Sequence, residues 1–339
     1  MTWSYVAPPP DRIAAAAVEA QTFSVVIAAH DAAATLADAL DSALSQVPPP
    51  LEVIVCDDGS TDATPDVLAG YESRVRTIRQ TNAGEGAAKN AAAAAAKGDF
   101  VCFLDADDVF LPGRLAALTE LAHQRPDLGI LTTDASIEVD GRHVRRCYDD
   151  EWPFPAERQR AAILERNFVF GLAAVRRPTF VEAGGFAEDI RYAVDWDLWI
   201  RLILDGAKVG LVDAVLARYR LRAESLSAAR PALLAGRAQV LERTADDRRL
   251  HEGERTAVRA HARRERAAAL LARAADALAD RTPGRRRLAA AVARSDAYPR
   301  ATRARALASA VVPGIAGALL RRERRLHGRP GPAGVRLPG

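Results

Sequence analysis

Five aspartates stand where carboxylates could work together. Asp57 and Asp58 close an apolar run at 51–56, and Asp105, Asp107 and Asp108 close another at 100–104. Both runs read as strands of one sheet, and in open α/β sheets the ligand sits outside the carboxyl ends of the strands. Two acidic clusters in that position repel each other unless something cationic lies between them. A divalent ion bound to a diphosphate supplies such a cation. Carboxylates separated by one residue, as Asp105 and Asp107 are, can converge on a hard ion. Mn²⁺ or Mg²⁺ takes oxygen ligands and keeps positions open for phosphate and water. A further pair, Asp195 and Asp197, opens a later segment, where either could cap a helix.

Alternating strands and helices must position these groups. Residues 23–29 form a short run rich in β-branched side chains, hence a buried strand. Leu36, Leu40 and Leu44 recur at helical spacing after it, with Asp31 or Thr35 as cap, and Pro48-Pro49-Pro50 ends that helix. Strands follow at 51–56, 75–80, 100–104 and 128–133, with an Ala-rich helix at 85–97 that Gly98 terminates. Regular alternation with short connections predicts an α/β fold, a mostly parallel sheet covered by helices. Beyond residue 135 the pattern changes. A hairpin is expected through Asp140-Gly141, a helix over 157–167, an extended segment over 168–175, a helix over 195–204 and strands over 209–222. From about 231 the chain is Ala, Arg and Leu without a strand signal, read as several helices broken at Pro283-Gly284 and Pro299.

Six motifs then fall in an order and spacing that resembles glycosyltransferase family 2. They are Ser24-Val25-Val26-Ile27-Ala28-Ala29-His30-Asp31, Val53-Ile54-Val55-Cys56-Asp57-Asp58-Gly59-Ser60, Asn82-Ala83-Gly84-Glu85-Gly86-Ala87-Ala88-Lys89-Asn90, Phe103-Leu104-Asp105-Ala106-Asp107-Asp108, Gly184-Gly185-Phe186, and Val194-Asp195-Trp196-Asp197-Leu198-Trp199-Ile200-Arg201-Leu202. That family is inverting and has the GT-A fold, a Rossmann-like nucleotide-diphospho-sugar transferase sheet; the resemblance covers about residues 22–227. It implies that Ala28, His30 and Asp31 line a base pocket, and that Asp58, with Asp57 assisting, accepts a hydrogen bond from a uracil-like base. Asp105 and Ala106 would meet the ribose or sugar, and Lys89 and Asn90 would flank the donor. Asp107, with Asp105, would hold the metal on the diphosphate. Asp195 would be the catalytic base, and Trp196 and Asp197 would face the acceptor. Inverting transfer needs a carboxylate to take the acceptor's hydroxyl proton from the side opposite the leaving diphosphate. Two departures stand out: Val194 occupies a place where the family commonly has Glu, and Arg222 one where it often has His. Arg222 cannot ligate a metal but can pair with the diphosphate as a fixed charge.

Composition bounds the alternatives. Residues 231–339 carry 24 Lys+Arg against 10 Asp+Glu, so an acidic body precedes a basic tail. That tail has one aromatic, Tyr298, which argues against nucleic acid as a partner. Its charge would suit a solvated helical face or contact with an anionic membrane, and residues 306–320 are nearly all apolar between flanking arginines, too short to span a bilayer and suited either to a core helix or to one lying at the membrane surface. Three cysteines, Cys56, Cys102 and Cys147, show no zinc or disulfide spacing, and no signal peptide is read in the N-terminus, so a cytoplasmic setting at the inner membrane face is expected. The expected organisation is a leader over 1–21, a catalytic domain over 22–228, helices over 229–327 and a disordered tail over 328–339. The partners would be a nucleotide-sugar donor, UDP-linked by preference, and a glycan, lipid-linked or cell-envelope acceptor. A nucleotidyltransferase would carry a Gly- and basic-rich phosphate loop after the first strand, where Ala28-Ala29-His30-Asp31 stands instead. A non-catalytic nucleotide-sugar scaffold would lack Asp195.

Overall fold

The computed structural model describes residues 21–139, 141–221, 230–327, 329–330 and 336–337, with side chains as far as residue 323. The chain divides into two compact units, Met1–Arg220 and Leu221–Gly339.

The first unit is built on one sheet. Its strands are β1 (Phe23–Ala29), β2 (Glu52–Asp57), β3 (Arg76–Arg79), β4 (Phe100–Phe103), β5 (Val109–Phe110), β6 (Ile130–Val139), β7 (Arg142–Arg146), β8 (Ala174–Arg176) and β9 (Val209–Leu221). They lie in the order β3-β2-β1-β4-β8-β6-β9-β5, with β7 beside β6. The run β3-β2-β1-β4 is parallel, as the alternation predicts, and its register sets Ala29 opposite Asp57 and Val26 opposite Phe103. Strands β1, β2 and β4 are covered on both faces, which is why they read as continuous apolar runs rather than alternating ones, while β3 at the edge is polar and largely exposed. Val25, Val26, Ile27, Ile54, Val55, Val101 and Cys102 are all fully buried. Helix α1 (Leu36–Leu44) lays Leu36 and Leu40 onto β1, and Leu115 and Leu118 of α4 (Arg114–Gln124) join the same core.

Two features depart from the sequence reading. The segment 168–175 supplies only the three-residue β8, and that strand wedges antiparallel between β4 and β6. The parallel run therefore stops at β4, and β6 is longer than expected because it also carries the β7 hairpin, paired from Ser136–Arg146 to Val139–Arg142. The remaining helices of the unit are α2 (Thr64–Ala69), α3 (Glu85–Ala94), α5 (Gln159–Glu165), α6 (Arg177–Glu182) and α7 (Val194–Leu204).

The second unit is helical: α8 (Arg230–Ala245), α9 (Glu252–Ala279), α10 (Arg285–Arg294), α11 (Arg300–Val311) and α12 (Pro313–His327). Breaks fall at Gly284 and Pro299 as expected, and at two further places. His251 and Glu254 form a capping box that starts α9, and Pro313, which cannot donate to the preceding turn, ends α11. The end expected to be disordered carries a short antiparallel pair, Arg329–Pro330 with Arg336–Leu337.

Candidate active site

The loops after β1 and β2 are tied to each other. Asp31 takes φ 48°, and its carboxylate accepts from the backbone N–H groups of Thr61 (2.7 Å) and Asp62 (3.2 Å). The Thr61 N–H is the main reason the Asp31 carboxyl lies below its ordinary range. In return Ser60 accepts from Asp31 N–H at 3.0 Å, and Thr64 from Ala32 N–H at 2.8 Å. His30 extends over this floor, 42% exposed. Its Nδ1 lies 2.9 Å from the Asp58 carbonyl and its Nε2 3.1 Å from Asn82 Nδ2, which assigns the proton to Nδ1. Ala28, half-buried, completes the wall.

Asp58 then sets where α3 begins. Its buried carboxylate accepts three bonds of 2.8 Å, from Gln80 Nε2, Ala83 N–H and Gly84 N–H. Gly59, at φ +72°, lets this turn close, since a Cβ there would lie 2.8 Å from the Asn82 nitrogen. Gly84 caps α3, and the helix brings Lys89 under the end of β4. The ammonium of Lys89 is buried and donates to Asp105 (2.7 Å) and to Glu85 one turn back (2.6 Å). Burial pushes Lys89 down, but the two carboxylates outweigh it and the net shift is upward, so the side chain stays charged. Asp57 points the other way, accepting from Ser60 N–H at 2.9 Å and pairing with Arg79 at 3.2 Å.

Asp195 arrives from the first turn of α7. A Cβ placed on Gly171 would lie 3.8 Å from its Oδ2 and 3.8 Å from Asp105 Oδ2, so the two carboxylates flank one glycine and share one recess. Asn167 donates to Asp195 Oδ2 at 2.8 Å. Burial and the nearby Glu85 charge raise the Asp195 carboxyl to about 6, against the opposing pull of Lys89 and Asn167. A carboxylate at that value is ionised at neutral pH yet basic enough to accept a proton in a transition state.

Three aspartates gather at the end of β4. Asp108 is fully buried; Arg220 N–H donates to its Oδ1 at 2.8 Å, and its Oδ2 meets no partner. Burial, then the charges of Asp107 and Asp105, push its carboxyl well above the usual range. Asp107 is half-buried beside it, and Arg220 reaches the Asp107 carbonyl and Asp38. Among the described residues no three metal-ligating side chains converge. Mg²⁺ and Mn²⁺ sites nevertheless need only one or two carboxylates when substrate phosphates supply the rest. Hard oxygens and two carboxylates one residue apart, Asp105 and Asp107, fit such an ion.

The remaining expected residues divide. Ala106 is buried in the turn between the two acids. Asn90 was expected beside the donor, but its amide spans a neighbouring loop: Nδ2 donates to the Phe186 carbonyl (2.9 Å), and Oδ1 accepts from Phe186 N–H (2.8 Å). Trp196 and Asp197 are corrected. Trp196 is 1% exposed with its indole N–H on the Ile163 carbonyl, and Asp197 is 3% exposed and paired with Arg201 at 2.8 Å, so neither can touch an acceptor. Arg222 lies outside the described residues. Glu85 and Arg201 belong to the family-like motifs but had no role assigned, and Asn167 and Gly171 were not anticipated. Arg201 holds the Gly184-Gly185 loop by donating to the Ala183 and Gly185 carbonyls, both at 2.6 Å. Glu85 was detectable as a partner one helical turn before Lys89; Asn167 and Gly171 have no local signal.

Comparison with known proteins agrees with this geometry. The family model of glycosyl transferase family 2 matches residues 24–182. The chain is 34% identical over 185 residues to a chondroitin synthase of Pasteurella multocida, a match covering 53% of this chain and 18% of that protein. It therefore spans less than a fifth of that relative's length. In structure it is similar to S. aureus TarS 1-349 in complex with UDP-GlcNAc, with TM-score 0.56 and 18% identity over 90% of this chain and 92% of the other. It is also similar to the mannosyltransferase PcManGT of Pyrobaculum calidifontis in complex with GDP-Man and Mn²⁺, with TM-score 0.58 and 21% identity over 93% and 90%. At these identities the structural likeness establishes the fold.

Proposed function

Because the chain belongs to glycosyl transferase family 2 through residues 24–182 and is a glycosyltransferase, we propose that it moves a hexose-like sugar, with inversion, from a nucleoside diphosphate to an acceptor hydroxyl, with Asp195 as general base. The observation that carries this reading is the recess at Gly171, where a carboxylate raised to about 6 faces the Lys89–Asp105 pair. The acceptor oxygen bonds to the anomeric carbon as its proton passes to Asp195. The bond from that carbon to the diphosphate breaks, and the nucleotide leaves with the electron pair. Asn167 orients the base, and Lys89 fixes Asp105 against the donor. A bound Mn²⁺ or Mg²⁺, held by Asp107 with Asp105, would supply Lewis-acid neutralisation of the departing diphosphate. The loops at His30 and Asp31 would receive the base, with Asp58 holding the pocket's shape through the turn before α3.

A UDP-sugar is the favoured donor, as named for one fold neighbour, and GDP-Man, named for another, is the alternative to test. The acceptor is proposed to be a glycan, lipid-linked sugar or cell-envelope component, supported by the likeness to a polysaccharide synthase. Replacing Asp195 by Asn tests the assignment. The variant should bind donor as the wild type does while transfer falls by about two or more orders of magnitude. Normal transfer by the variant would place the base elsewhere.

A further inference from the structure

We propose that the elbow between α11 and α12 is a docking surface for an anionic phospholipid bilayer. Residues 299–322 contain five arginines and no acidic residue, and residues 306–320 contain no charge at all. No single helix among the described residues is long and apolar enough to cross a membrane. The apolar stretch is instead folded at Val312 and Pro313, where the two helix axes bend by 117°. It cannot thread a bilayer as one rod, and it presents its side chains outward.

Packing on the inside fixes which side chains those are. In α12, Pro313 and Gly317 are buried. Gly317 sits so close to the end of α9 that a Cβ there would lie 2.3 Å from the Leu278 carbonyl oxygen. Arg321, one turn further, donates to the Ala279 carbonyl at 2.7 Å. Ile315 and Leu319 stand two residues either side of Gly317, about 200° around the helix, and they are 63% and 61% exposed. On α11, Leu307 and Val311 share one face at i,i+4 spacing and are also mostly exposed, as is Val312 at the bend. These are five of the eleven large apolar side chains that stand exposed among the described residues, all within thirteen positions.

The charge around them selects the occupant. Arg300 and Arg303 precede Leu307 on the same side of α11, Arg305 is exposed beside them, and Arg322 closes the far end. Aliphatic side chains framed by arginines, with only Asp296, paired to Arg303, and Glu323, after Arg322, as bordering acids, match the boundary between acyl chains and anionic headgroups. Two copies of this surface would bring arginines against arginines, which disfavours self-association through it.

The test is sedimentation of the full-length protein with vesicles of phosphatidylcholine alone or mixed equally with phosphatidylglycerol. Association with the mixed vesicles should exceed that with the neutral ones by about tenfold or more and weaken as salt is raised. The double variant Ile315→Asp with Leu319→Asp should lose it, as should Arg300→Glu with Arg305→Glu, both keeping the wild-type circular dichroism and donor binding. Equal binding to both vesicle types, or wild-type binding by either variant, overturns the proposal. So does light scattering that finds a dimer which the Asp variant converts to monomer, because the face would then belong to a second copy.

Discussion

The ends of β2 and β4 carry similar acidic motifs but treat them in opposite ways. At β2 the charges are met by the chain itself: Asp57 has Arg79 and a backbone N–H, and Asp58 has three donors from the turn before α3. At β4 Asp105 pairs with Lys89, while the neighbour of Asp107, Asp108, is buried with one carboxyl oxygen unmet. A carboxylate whose oxygens are all met by the chain builds structure, whereas the end of β4 keeps a buried oxygen that the chain does not meet. Asp-Asp at a strand end therefore describes two different things, and hydrogen-bond accounting separates them.

The contrast can be broken at several points. The largest effect is expected at the saturated end. Asp58→Ala removes the acceptor of two backbone N–H groups in the partly exposed turn before α3, and should cost about 1–3 kcal/mol in a urea unfolding titration. A loss under about 1 kcal/mol would mean that Asp58 is not structural. The next is kinetic. Because the Asp195 carboxyl is raised to about 6 and must be ionised to act, kcat/KM should fall about tenfold per pH unit below that point. Asn167 donates to the ionised form, so Asn167→Ala should move this acid limb to higher pH; an unmoved limb would assign it to another group. The smallest belongs to Asp108. Burial raises its folded carboxyl above the value of about 4 that the unfolded chain has, so the group costs stability that grows as pH rises above that value. Asp108→Asn should therefore gain on the wild type between pH 4 and 7 in thermal melts with EDTA, by no more than about 1–2 kcal/mol. A gain independent of pH would show that Asp108 is ionised in the fold.

Much of this was legible in the sequence. The parallel core was, because β1, β2 and β4 are short apolar runs closed by turn motifs, and so was the placing of aspartates 105 and 107 just past β4 and of Asp195 in the first turn of α7. Three things were not. Strand β8 is three residues long and owes its place to the gap between β4 and β6, which no local pattern encodes. Trp196 and Asp197 sit next to the base in sequence, but α7 turns them inward by about 100° per residue, one into the core and the other onto Arg201. Asn167 and Gly171 reach Asp195 and Asp105 only through the fold.

The measurement that tests the central claim most directly is titration calorimetry of UDP and UDP-sugars into the wild type and Asp107→Asn, with Mn²⁺ and again with EDTA. If Asp107 at the end of β4 meets the donor through a divalent ion, Mn²⁺ should tighten binding to the wild type by about tenfold or more and leave the variant unchanged. Binding that is as tight in EDTA, or a Mn²⁺ effect that survives the loss of Asp107, would contradict it.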